Sequence, residues 1–223
     1  MFLSISIPGD ELDRRMGGGL YLGQIVTILG GNGEGKTVVS LRLVYGLIKN
    51  GATIAYVSSQ LPVREFVSEC DSLGYPLFNE ILSGIMHYIP AVFILRKSRK
   101  ASLDDLLNND TIKDKKVLVI DSMNRNIFRD FDAINYYMKL RKFSEGRLVI
   151  VTMNPEELGQ DELMKISELS TTVIQLRSKE LAGERKHSME LSKYPMVSKN
   201  FQQNIPFRIE PGRGFIVEIT SVS

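Results

Sequence analysis

The chain has one cysteine, Cys70, among 223 residues. A lone thiol forms no internal disulfide and suits a reducing compartment. Cys70 sits in a helical pattern and reads as a core residue rather than a nucleophile. No apolar run approaches the ~18 residues of a membrane-crossing helix. The opening stretch MFLSISIPGDELDRR lacks the basic start and long apolar middle of a secretory leader. The expectation is a cytoplasmic protein that meets a membrane only through partners. Charge of one sign is also lacking: 28 Lys and Arg stand against 26 Asp and Glu, a net +2. With no basic stripe interleaved with aromatics, nucleic acid is not an expected partner. There are two histidines, His87 and His187, far apart and without paired cysteines. Neither is expected to hold a metal, and both are expected at strand edges. No internal repeat or low-complexity segment appears, and 43% hydrophobic residues suffice for one sizeable core. One domain spanning 1–223 is the expectation.

What is present is an alternation. QIVTIL (24–29), TIAYVS (53–58), KVLVID (116–121) and RLVIVT (147–152) are short, β-branched and almost wholly apolar. Such runs suit strands buried on both faces. Between them, helical patterns are predicted at about 35–49, 63–73 and 131–143; Pro62 opens the second. Strand alternating with helix predicts an α/β fold with a parallel central sheet. The last third changes character. TTVIQLR (171–177), HSMELSKY (187–194), IPFRIE (205–210) and GFIVEIT (214–220) follow without helices between them. The turn signal EPGRG joins the last two as a hairpin, so an antiparallel C-terminal extension is expected. Two polar stretches, 97–116 and 179–186, are predicted to be loosely ordered. The basic RKSRK (96–100) is expected to be a solvated loop.

The chemistry-bearing motif is GGNGEGKT, Gly30 to Thr37, directly after the first core strand. Gly30, Gly33 and Gly35 let the backbone turn so that N–H groups point inward at phosphates. The loop residues Gly31, Asn32, Gly33, Glu34 and Gly35 would form the cradle, and the next helix would present its positive end to the same anion. Lys36 would reach the β- and γ-phosphates and the Thr37 hydroxyl would ligate Mg²⁺. The ligand expected is ATP with Mg²⁺. Asp121, at the end of KVLVID, is the expected second metal residue; the alternative is an ordinary strand-end Asp that starts a turn.

The segment ELDRRMGGGLYLGQIVTILGGNGEGKT resembles the opening of RecA-superfamily ATPases of the KaiC type. The resemblance runs on through TIAYVSSQ, SGIMHYIPA, VLVIDS, VIVTMNPEEL and FQQNIPFRIEPGRGFIVEI, nearly the whole chain. Taken together, these segments look most like the archaellum accessory branch, FlaH or ArlH. That resemblance implies a RecA-type core, ATP binding, and a place beside the motor ATPase FlaI and a membrane platform protein. In active relatives a Glu near the end of the second core strand activates water. Here the matching place holds Ser59 and Gln60, and an amide orients water but takes its proton poorly. Glu65 and Glu69 lie on the next helix and would reach in only by an unusual path. Slow or absent hydrolysis is therefore expected, with Gln60 orienting water at best.

Thr152 or Asn154 stands where the superfamily keeps a γ-phosphate sensor. Equally, Asn154 before Pro155 and two glutamates is a good cap. The resemblance also implies a Lys and an Arg reaching a neighbouring subunit's nucleotide. Lys193 matches the Lys, whereas Pro195 holds the Arg place, so the pair is incomplete; a solvated strand-end Lys is the alternative. Arg14 and Arg15 are expected to be structural or intersubunit residues. The leading function is an ATP-binding regulatory subunit of the archaeal motor with nucleotide-dependent self-association. The alternatives are a RadB-like paralogue that binds DNA and an active ATPase.

Overall fold

The structure is a computed structural model, described here for residues 1–91, 102–123, 132–181, 183–197 and 199–218. Among the described residues, nine strands form one sheet in the order β11-β10-β9-β8-β3-β7-β6-β4-β5. The six from β8 to β5 run parallel: β8 (Thr172–Leu181), β3 (Ile25–Leu29), β7 (Leu148–Met153), β6 (Val117–Asp121), β4 (Ile54–Ser58) and β5 (Met86–Pro90). Then β9 (Glu184–Lys193), β10 (Asn204–Glu210) and β11 (Gly214–Val217) continue the sheet antiparallel. A separate ribbon pairs β1 (Phe2–Ser4) with β2 (Gly19–Tyr21).

Why the core runs are almost continuously apolar is now visible. Alternate residues of each parallel strand enter two cores on opposite faces. Val26 and Ile28 of β3, Ile54 and Tyr56 of β4, and Val117 and Val119 of β6 face one side. Ile25 and Leu29, Ala55 and Val57, and Leu118 and Ile120 face the other. The period of two thus feeds both faces, as a covered parallel sheet requires. The first core lies under α2 (Lys36–Lys49) and α3 (Val63–Ser72), which contribute Val39, Leu43, Leu47, Phe66 and Cys70. The second lies under α5 (Leu103–Asn108), α6 (Asp110–Lys113), α7 (Ala133–Phe143) and α8 (Gln160–Leu169). Two further short helices among the described residues are α1 (Leu12–Arg15) and α4 (Phe78–Leu82).

The N-terminal segment is tied to α2 by a fully buried Arg42. Its Nε donates to Asp10 Oδ2 at 2.6 Å and its Nη1 to the Ile5 carbonyl at 3.0 Å. Arg15 ties the same region to the tail, donating to Gln202 Oε1 at 2.5 Å, while Arg14 pairs with Glu11. At the other end, the β10–β11 turn docks on α3: Gly212 N–H donates to the Ser72 carbonyl at 2.7 Å.

Three expectations are corrected. Of the stretch 97–116, the part from Ser102 on is ordered as α5 and α6. Ser102 and Asp105 form a reciprocal cap, Asn109 caps α6, and Leu103, Leu106, Leu107 and Ile112 are buried. The described residues of the stretch 179–186 belong to the tip of the β8–β9 hairpin, paired Lys179 to Lys186 and Glu180 to Arg185. His187 is not at an edge: β9 is an inner strand and the ring is buried, stacked on Phe207 at 5.2 Å. His87 does lie on the edge strand β5. RKSRK lies outside the described residues, as does the start of the predicted helix at Phe131.

Candidate nucleotide-binding site

Three strand ends meet the phosphate loop at one edge of the sheet: β3 runs into it, and β6 and β7 end beside it. The loop turns through left-handed backbone at Gly33 (φ +75°) and Gly35 (φ +92°), which L side chains rarely adopt. Gly35 is doubly constrained, because a Cβ there would meet Ile209 Cδ1 at 3.3 Å and Phe207 at 3.6 Å. Helix α2 opens at Lys36 with no side-chain cap and no acidic residue in its first turn. Its leading amides and its dipole are therefore left for an anion.

The Lys36 ammonium donates to the carbonyls of Gly30 and Gly31, each at 2.9 Å. Burial lowers its pKa below the ordinary lysine value; the nearby carboxylates of Asp121, Glu34, Glu157 and Glu156 oppose that shift. Glu34 folds back, accepting from Gly31 N–H at 2.6 Å and from Ser178 N–H on β8 at 3.3 Å. Arg185, from the β8–β9 hairpin, lies over Gly33, where a Cβ would be 3.0 Å from its Nη1.

Asp121 is buried at the end of β6. It accepts from the Thr37 hydroxyl at 3.1 Å and from the Thr152 hydroxyl at 2.7 Å. Burial raises its carboxyl pKa; hydrogen bonds from Thr152, Tyr56 and Thr37 and the Lys36 charge act the other way. A carboxylate and a hydroxyl side by side form the hard oxygen donor set that Mg²⁺ prefers, and a cation would offset the burial of the Asp121 charge. The residues therefore fit the metal.

Ser122 follows with φ +60°, the one left-handed non-glycine among the described residues. Its N–H donates to Thr152 Oγ1 at 2.7 Å and its carbonyl accepts from the Ser59 hydroxyl at 3.1 Å. Its hydroxyl accepts from Gln60 Nε2 at 2.8 Å. Two bonds to its backbone and one to its hydroxyl hold this disfavoured conformation beside Asp121.

Gln60, Ser122 and Met123 line a small cavity together with Asn32, Lys36, Asn154 and Glu157. Its volume of about 40 Å³ holds one or two waters. Larger hollows of about 650 Å³ beside Met164 and Lys193 and 640 Å³ beside Asp10 and Tyr75 contain no phosphate-loop residue. The small cavity, not the large ones, is where the chemistry-bearing residues converge.

Of the two roles weighed for Asn154, the cap is seen. Its side chain accepts from Glu156 N–H at 3.1 Å, capping the turn Pro155–Glu157, and it lines the cavity. Thr152 is fully buried and holds Asp121. Lys193 lies at the other end of the sheet, opposite Val173 at the start of β8. Partly exposed at the end of β9 and away from its own loop, its ammonium donates to the carbonyls of Ser167, Glu168 and Ser170 at 3.1, 3.0 and 2.6 Å. Burial pushes the Cys70 thiol up to about 12, so the thiolate nucleophile is not available at neutral pH. Ser122, Arg185 and Glu157 were not singled out from sequence. The PEE run just past β7 was the available signal for Glu157.

Comparison with known proteins agrees with this geometry. The KaiC ATPase family model matches residues 4–221. The archaeal flagellar ATP-binding protein FlaH of Methanocaldococcus jannaschii is 32% identical over 98% of this chain and 97% of its own. The protein of the same name from Methanococcus voltae is 29% identical over 100% and 99%. The crystal structure of flagellar accessory protein FlaH from Methanocaldococcus jannaschii superposes with a TM-score of 0.90 at 31% identity, covering 99% of this chain and 100% of that one. A phosphate loop on a RecA-type sheet, matched along its whole length in sequence and in shape, places this chain in the KaiC family of ATPases and, within it, among the archaeal flagellar ATP-binding proteins FlaH.

Proposed function

We propose that this protein binds ATP with Mg²⁺ and serves as a regulatory subunit of the archaeal swimming motor. The observation that carries the reading is the Thr37 hydroxyl lying 3.1 Å from buried Asp121, beside an uncapped α2 N-terminus. Gly31 to Thr37 hold the phosphates, Lys36 leaves the Gly30 and Gly31 carbonyls for the β- and γ-phosphates, and Thr37 and Asp121 hold the metal. Bound Mg²⁺ supplies charge neutralisation for the phosphate oxygens. Gln60 replaces a carboxylate at the end of β4, and its amide is already engaged by Ser122. Hydrolysis is accordingly slow, and ATP acts as a conformational ligand whose occupancy is read out.

Asn154 and the turn it caps sit at the cavity wall, so the terminal phosphate is sensed where a short segment can shift. Occupancy sets self-association and the grip on the motor ATPase FlaI, at the cytoplasmic face of a membrane platform. No helix among the described residues is long and apolar enough to cross a membrane. The test is co-purification with the motor ATPase, with and without ATP, using wild type and Lys36→Ala. ATP-dependent capture by wild type alone supports the reading; equal capture by both proteins in both conditions refutes it.

A further inference from the structure

A groove of about 460 Å³ lies between α5, α6 and α7. Lys113 ends α6 shortly before β6, and Arg147 directly precedes β7, so the groove is at the amino ends of these strands. The phosphate loop follows the carboxyl end of β3, which runs parallel to β7. The groove and the nucleotide site therefore lie at opposite edges of the sheet. Leu107 and Phe143 give the groove an apolar part, and Lys113, Lys139, Lys142 and Arg147 stand around it. Asp104 is the one carboxylate among the lining residues.

These cations are not balanced within the described fold. Lys139 pairs with Asp104 at 2.6 Å. Arg147 donates from Nε and Nη2 to the Lys113 carbonyl at 3.3 and 2.9 Å, and its guanidinium lies 4.8 Å from the centre of the Phe143 ring. A carbonyl and a ring hold the guanidinium in place without cancelling its charge. Lys113 and Lys142 are exposed and form no ion pair with a described residue. Each stands in the last turn of its helix, where a cation offsets the negative end of the dipole. That accounts for each position singly. It does not account for four cations around one hollow in a chain of net charge +2.

We propose that this groove receives an acidic segment of a partner protein, with an apolar side chain against Leu107 and Phe143 and carboxylates against Lys113, Lys142 and Arg147. Charge complementarity carries the choice of occupant, because an unbalanced basic hollow attracts and orients an acidic partner. A membrane surface fits less well. Membrane-binding faces present apolar side chains outward, whereas Leu107 is buried and Phe143 half-buried. A nucleic-acid base would stack on an open ring, and the Phe143 face is covered by Arg147. A compact phosphate prefers converging helix N-termini, whereas α6 and α7 bring their C-termini. Cations spread over three elements suit carboxylates spread along a chain.

The test is fluorescence anisotropy on the full chain without nucleotide, so its result stands apart from the ATP reading. The probe is a labelled synthetic peptide of glutamates around a central Phe-Leu pair. Wild type should bind it, more weakly as salt is added, and should not bind the same peptide with glutamines for glutamates. Lys113→Glu combined with Lys142→Glu should lower affinity by about tenfold, as two partly exposed pairs turn into two repulsions. Lys165→Glu combined with Lys199→Glu makes the same charge change at exposed positions outside the groove and should leave affinity within about twofold of wild type. Melting curves of both double variants should overlay that of wild type, since all four side chains are exposed. No binding by wild type, or equal losses in the two double variants, overturns the proposal. So does binding to phosphatidylglycerol vesicles that is lost in the Lys113 and Lys142 variant while the peptide goes unbound, which would make the groove a lipid site.

Discussion

The parallel half of the sheet and its antiparallel extension are built from the same pleat and do different work. Every side chain that would touch a phosphate or a metal sits at the carboxyl ends of β3, β6 and β7, where parallel strands release their chains into loops. The extension supplies no such group from its core strands. It instead props the loop from behind: Phe207 and Ile209 lie against Gly35, and Arg185 lies over Gly33. Parallel strands all end at one edge, so they can gather residues distant in sequence, such as Thr37, Asp121 and Asn154, into one place. Antiparallel neighbours end at opposite edges and cannot, but their hairpins make a stiff wall at low cost in connecting chain.

If that division holds, the largest effect of breaking the wall is on stability. Phe207 is fully buried and stacked on Phe215 at 4.5 Å. Phe207→Ala should cost about 3–5 kcal/mol, lowering Tm by roughly 10 °C. Thermal melts check this, and ATP affinity measured at low temperature should change far less. Next in size, Lys36→Ala should lower ATP affinity by about 10²-fold, the value of a charge-assisted contact of ~3 kcal/mol. Its melting temperature should be nearly unchanged, since the side chain serves only two loop carbonyls; calorimetric titration and a melt on one sample separate the two effects. Asp121→Asn should lower Mg²⁺-dependent ATP affinity by about tenfold and leave binding in chelator unaltered. The same substitution should raise the stability of the nucleotide-free protein, because burial disfavours the Asp121 charge in the folded state and Asn carries none. The smallest effect is expected beside Lys36. Glu34→Gln removes a negative charge beside Lys36 and should tighten ATP by about threefold, typical of a partly exposed pair. A large loss of ATP binding in Phe207→Ala, with the fold intact, would erase the division between chemistry and support.

The parallel half was also the more legible in sequence. Four of its strands announce themselves because burial on both faces demands unbroken apolarity, as in KVLVID. The edge strand β5 does not: MHYIP carries an exposed His87 and ends in Pro90, as an edge permits. Helices α5 and α6 were hidden by composition, since Asp104, Asp105, Asn108 and Asn109 mask a stripe of Leu103, Leu106 and Leu107. The β8–β9 tip was hidden for a different reason. Lys179, Glu180, Arg185 and Lys186 pair through the backbone, and backbone pairing leaves no mark on side-chain polarity. The phosphate loop and Asp121 were legible because phosphate and metal chemistry fix residue types at fixed offsets. Ser122, Arg185 and Glu157 were not, because their relevance depends on which strand ends become neighbours.

Lys193 carries a consequence for assembly. Its one ammonium satisfies three carbonyls at the end of α8, a complete set for a group with three hydrogens. Any neighbour's phosphate that recruits this lysine must first strip it from the helix, leaving those carbonyls to water. Ring closure through this residue and the firmness of the α8 terminus then draw on the same three hydrogens. Assembly would report itself inside each subunit, as faster amide exchange at the junction of α8 and β8, before any contact between subunits is examined.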